Sequence, residues 1–293
     1  MVNEVERILP VNNKLGEGSV WSSEEQALYW VDIENNCFCR LYPTTGKYEV
    51  FDVGLPIGAL ALRASGGLVM ATKRGFAFWD QQKGLRFIED PEADKPHTRF
   101  NDGAVDCRGR FWAGTMCGLP EMCEAPEGSL YRIDPDGSVH MMETGLTISN
   151  GIGWSPDNKL MYLTDSPLRM IYAYDFDAAT GAIENRRPFI HTPDEDGIPD
   201  GLTVDSEGFI WSARWGGWKV IRYDPTGKVE REIQLPVQYP TSCAFGGEHL
   251  DELYITSAWT ALSEEQRKNQ AFAGDLFRVK IDIKGLERPK FAG

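Results

Sequence analysis

One unit recurs along the length of this chain and limits what it can fold into. It is clearest at residues 149–165, where Asn150-Gly151 opens an apolar stretch, Pro156-Asp157-Asn158 turns the chain, and residues 160–164 return as apolar and β-branched positions. That pattern is a β-hairpin. Matching starts fall at Glu17-Gly18, Ile57-Gly58, Asp102-Gly103, Asn150-Gly151, Asp200-Gly201 and Thr241-Ser242, at intervals of about 40, 45, 48, 50 and 41 residues. Glycine-containing turns at 106–112 and 205–211 feed further apolar strands, and 128–134, 171–175 and 220–224 read as third strands. Units of that length with four short strands each predict an all-β chain, a six-bladed β-propeller.

The 293 residues are used up by six such units, so residues 1–293 are expected to form one propeller domain. Residues 5–12 read as a strand ahead of the first unit. They are expected to pair beside residues 275–279, closing the last blade and covering an exposed edge. A polar insertion at 263–269 starts at a good N-cap, Ser263, and reads as a short helix.

Charge and cysteine use narrow the function. A net charge of −14 argues against nucleic acid or an anionic membrane as partner, since both call for basic surface. No apolar run nears the roughly 20 residues that cross a bilayer. The six cysteines form no Cys-x-x-Cys pair, and Met1-Val2-Asn3-Glu4 lacks the basic-then-apolar shape of a signal peptide. Free thiols in a reducing cytoplasm are expected, with a Cys117 to Cys123 bridge left open by spacing. Cys37 and Cys39 share one strand face and read as packing residues. Nothing signals an interface, and a monomer is the expectation.

In a propeller the first strand of each blade lines the central channel, so residues at equivalent starts converge however distant in sequence. Glu17, Asp102, Asn150 and Asp200 are then four oxygen donors gathered at one mouth from about 180 residues of chain. Three carboxylates packed this closely repel one another, and a divalent cation resolves the conflict. An all-oxygen set suits Ca²⁺, Mg²⁺ or Mn²⁺, while Zn²⁺ and Fe²⁺ also accept carboxylates. Each residue taken singly has a blander reading as a turn-forming Asx before glycine. Arg99 and Asn101, two apart on an extended segment, share a face near the same mouth and suit the hydroxyls or carboxylate of a small ligand.

The motifs Leu15-Gly16-Glu17-Gly18, Arg99-Phe100-Asn101-Asp102-Gly103, Ala113-Gly114-Thr115-Met116, Ser149-Asn150-Gly151 with Trp154-Ser155-Pro156-Asp157, and Pro199-Asp200-Gly201 together resemble the SMP-30/gluconolactonase/LRE family of regucalcin-like sugar lactonases. The resemblance implies one divalent metal held by Glu17, Asn150 and Asp200. It implies substrate contacts from Arg99 and Asn101, an acid/base role for Asp200, and a place for Asp102 behind the ligands. The reaction it implies is hydrolysis of an aldonolactone of the glucono, galactono, xylono or arabinono type to its acid. One position departs: where the family carries an acidic lid residue, three after Gly-Thr-Met, this chain has Leu119, and the nearest acid is Glu121. The residue 117–127 loop reads equally as a lid or as variable surface. Two other functions fit the same mouth: hydrolysis of phosphotriesters or other esters, and calcium binding without turnover.

Overall fold

The computed structural model describes residues 4–119, 122, 126–193 and 197–293. Six four-stranded antiparallel sheets form the blades of a six-bladed β-propeller. Their innermost strands are Gly16–Ser22, Ile57–Leu62, Thr98–Val105, Ser149–Trp154, Ile198–Val204 and Pro240–Gly246. In five blades the strands follow in chain order from the channel outward. In the sixth the outermost strand is Val5–Leu9, paired antiparallel with Leu276–Lys280, so the two ends of the chain share a sheet as the edge argument expects.

Strand periodicity explains the packing. Alternate residues of each inner and second strand face the neighbouring blade, and these positions carry the large apolar side chains. Among the described residues six apolar clusters result, each filling the wedge between two adjacent blades. Trp112 meets Trp154 edge-on across the third wedge with centroids 6.1 Å apart, and Trp211 meets Phe245 at 5.8 Å between the last two blades. Burying one such side chain contributes on the order of 2–3 kcal/mol. The turns that feed the second strands use one device twice. Asp106 and Asp205 accept backbone N–H groups of their own turns, and each also accepts an indole N–H six residues on, from Trp112 at 3.0 Å and Trp211 at 2.9 Å.

The glycines that follow four of the starts, Gly58, Gly103, Gly151 and Gly201, have a packing reason. At the channel the inner strands approach one another so closely that a Cβ on Gly58 would lie 2.4 Å from the Phe100 carbonyl oxygen, and one on Gly151 2.7 Å from that of Asp200. Any side chain there would push two blades apart.

Two sequence expectations need correction. Cys37, Cys39, Cys107 and Cys243 are free, but Cys117 is disulfide-bonded, so free thiols throughout is wrong; Cys123 lies outside the described residues. The other concerns Asp102, which the register of its strand sets below the other channel carboxylates. The Cys37 and Cys39 side chains are buried as packing residues, and the helix Glu264–Asn269 starts at Ser263 with a complete capping box. No helix among the described residues is long and apolar enough to cross a membrane.

Candidate active site

Each inner strand breaks register at the same place. The shifts fall between Glu17 and Val20, Ile57 and Ala59, Phe100 and Asp102, Asn150 and Ile152, Pro199 and Leu202, and Pro240 and Cys243. A β-bulge re-aims the side chains beside it, and six in a ring turn the strand openings toward the axis. Glu17, Asn150 and Asp200 sit on these shifts. All three are buried, exposed by only 5%, 5% and 4%.

The register also moves Asp102. Asn150 pairs with Thr164, the fifth residue of its neighbouring strand, and the residue that pairs with the fifth residue of the third blade's second strand, Thr115, is Phe100. Asp102 lies beyond the bulge, opposite Gly114. Counting from the glycine had put it level with Glu17 and Asn150; the bulge at Asn101 drops it deeper into the channel. Its carboxylate accepts the Gly103 N–H at 2.7 Å.

The electrostatics are those of a crowded, buried acidic cluster. Burial holds the Glu17 carboxyl well above the usual carboxylate range, and the charges of Asp200 and Asp102 push it further. Asp200 is likewise held well above that range, by burial and then by Asp102, while the Gly201 N–H and the Glu17 and Asn150 side chains oppose the shift. Asp102 is pushed up to about 6, again by burial.

Arg99 and Asn101 come together as expected. An Arg99 guanidinium N–H donates to Asn101 Oδ1 at 2.8 Å and to the Phe100 carbonyl at 2.9 Å, and Asn101 Nδ2 donates to the Ser149 carbonyl at 3.0 Å. This ties Arg99 and Asn101 to the blade that carries Asn150. Burial pushes Arg99 down to about 10, with Glu17 opposing. Gly118 approaches the Arg99 side chain and donates its N–H to the His97 carbonyl at 2.8 Å. Leu119 is exposed, and Glu121 lies outside the described residues.

A divalent cation fits the donor set. Asn150 Nδ2 is fixed by the Ser166 hydroxyl at 3.0 Å, which leaves its Oδ1 as the free end, and neither Asn150 Oδ1 nor Asp200 Oδ1 has a hydrogen-bond partner although both are buried. Such an oxygen costs about 1–3 kcal/mol when left unpaired. A hard cation removes that cost and the carboxylate repulsion together. The seat is two carboxylates and one amide; among the described residues no group of three or more His, Cys, Asp or Glu side chains is placed to hold a metal. Sequence reasoning missed Ser166, because a serine orienting an amide from the second strand has no spacing signal.

Known proteins share this fold and much of this sequence. Residues 15–259 match the family described as the SMP-30/Gluconolactonase/LRE-like region. The chain is 40% identical to regucalcin of Xenopus laevis, over 99% of each chain, and 37% identical to a pentonolactonase of Haloferax volcanii, over 98% of this chain and 97% of that one. It superposes with a TM-score of 0.91 on a calcium-binding regucalcin from Agrobacterium tumefaciens, 29% identical, covering 97% of this chain and 95% of that one. A full-length match at this identity, on the same propeller, makes the chain a member of the SMP-30/gluconolactonase/LRE-like family.

Proposed function

We propose that this protein is a divalent-cation-dependent lactonase that opens sugar aldonolactones to aldonic acids, with the reaction at the channel mouth. The observation that carries the reading is the pair of buried, unpartnered oxygens on Asn150 and Asp200 beside the Arg99–Asn101 pair. An ion seat alone would need no arginine and amide aimed at the same mouth. A relative that is a pentonolactonase supports the substrate class, and one that is a calcium-binding regucalcin supports the cation.

Glu17, Asn150 and Asp200 would hold the cation, which supplies a positive charge that polarises the lactone carbonyl and stabilises the oxyanion. Arg99 and Asn101 bind the sugar hydroxyls and fix the ring with its carbonyl toward the seat. Asp200 accepts the proton of the attacking water as the new C–O bond forms at the carbonyl carbon. As the ring C–O bond breaks, Asp200 returns the proton to the departing ring oxygen, giving the hydroxy acid.

Asp200→Asn keeps the shape and removes the base. It is expected to lower kcat by about 100-fold or more with an unchanged circular dichroism spectrum. A folded variant that turns over lactone at the wild-type rate would remove Asp200 from the mechanism.

A further inference from the structure

The channel is closed at the end opposite the mouth by the last ten residues. Ser206 donates its N–H to the Lys284 carbonyl at 2.9 Å, and Gly285 to Leu250 at 2.7 Å. Phe291 donates to Leu62 at 2.8 Å, and Ala292 to Gly109 at 3.0 Å. These partners belong to the last two blades at one end of the segment and to the second and third blades at the other. The segment therefore crosses the axis, and Arg288 sits at mid-span.

Arg288 turns into the channel. Its guanidinium donates to the Thr203 hydroxyl on the fifth inner strand at 3.1 Å. Above it lies a cavity of about 20 Å³, lined by Ser19, Asp102, Ser242 and Arg288 among others, which is room for one water. The Ser19 hydroxyl facing this region is buried and has no partner. Arg288 and Asp102 feel each other's charge, each favouring the ionised form of the other, yet no direct ion pair joins them among the described contacts. The inner strands thus stack two tiers: the cation seat at the bulges, and beneath it a carboxylate facing an arginine delivered by the far end of the chain.

We propose that Arg288 is the counter-charge to Asp102, a positioning residue that neutralises the third carboxylate of the channel so that the cation is held by the charges of Glu17 and Asp200 alone. This rests on the cation reading above. A divalent ion among two carboxylates and an amide keeps its pull on a lactone carbonyl. A third uncompensated carboxylate beneath it would hold the ion more tightly and weaken that pull.

The test is calorimetric titration of Ca²⁺ into the chelator-stripped full chain at pH 7.5, with folding checked by circular dichroism. Arg288→Met is expected to tighten Ca²⁺ binding by about threefold or more, which is what a unit charge does to a divalent ion even through near-aqueous screening. Arg288→Lys is expected to stay within about twofold of wild type. Asp102→Asn, which keeps shape and removes the opposing charge, is expected to weaken binding by a similar factor. A merely structural strap would lower the melting temperature of Arg288→Met without tightening the ion. Unchanged or weaker binding by folded Arg288→Met overturns the proposal, and so does unchanged or tighter binding by Asp102→Asn, which also decides the matter if Arg288→Met does not fold. A wild-type chain that binds no Ca²⁺, Mg²⁺, Mn²⁺ or Zn²⁺ overturns the cation reading itself, and this proposal with it.

Discussion

Three buried carboxyls in one channel should make the cation-free protein less stable as the pH rises. Glu17, Asp102 and Asp200 are all held above their unfolded values. A carboxyl raised in the folded state favours folding below its unfolded value, and that stability is lost as the pH climbs through the folded one. For Asp102, with an unfolded value of 3.8 and a folded one of about 6, the loss between pH 5 and 7.5 is about 1.4 kcal/mol. A chain of 293 residues unfolds with an entropy of roughly 0.6 kcal/mol per kelvin, so Asp102 alone lowers Tm by about 2 °C. Glu17 and Asp200 act in the same direction and enlarge the fall. Surface carboxylates with lowered values, such as Asp80 and Asp136, have finished titrating by pH 5 and do not oppose it. Scanning calorimetry on chelator-stripped protein should therefore show Tm dropping by more than about 2 °C from pH 5 to 7.5. Saturating cation at pH 7.5, at about 100 times its Kd, should restore about 2.7 kcal/mol, or roughly 4–5 °C. A stripped-protein Tm that is flat or rises across that window would refute the picture of a buried carboxylate cluster held above its unfolded values.

Other outcomes follow from single contacts. Arg99→Ala removes the donor to Asn101 and the guanidinium proposed to bind the sugar, and steady-state kinetics should show KM raised more than kcat is lowered. Gly58→Ala places a Cβ 2.4 Å from the Phe100 carbonyl oxygen, which should cost about 1–3 kcal/mol in denaturant titration and raise KM by shifting Asn101. Trp211→Phe takes an indole N–H from the fully buried Asp205, which keeps its Arg222 partner at 2.9 Å; a loss of about 1–3 kcal/mol is expected, read as a Tm lower by roughly 2–5 °C.

The fold was legible because its determinants are local and repeated. A hairpin pattern that returns every 40–50 residues specifies the blade, and the count of repeats specifies the ring. The closing strand was legible too, since a lone strand before the first unit leaves an edge to cover. The site was legible up to the point where register matters. Glu17, Asn150 and Asp200 carry oxygen side chains beside glycines, and the ring brings them together. Asp102 shares that signature and belongs to the lower tier, because a bulge adds a residue without leaving a mark in composition. The Asn150 to Ser166 bond and the approach of Arg288 to the channel join positions whose separations follow no period. They depend on side-chain direction and on the path of the last ten residues, which only the packed structure supplies.

Lactone hydrolysis at the mouth, with a cation seated by Glu17, Asn150 and Asp200, is tested by acid release from glucono-, galactono-, xylono- and arabinono-lactones by chelator-stripped protein, with Ca²⁺, Mg²⁺, Mn²⁺, Zn²⁺ or Fe²⁺ restored in turn. No turnover is expected without cation, with recovery on adding at least one and a preference for one sugar. Full activity in the stripped protein would contradict the cation's role, and a folded, cation-loaded chain that opens none of these lactones would contradict the lactonase reading.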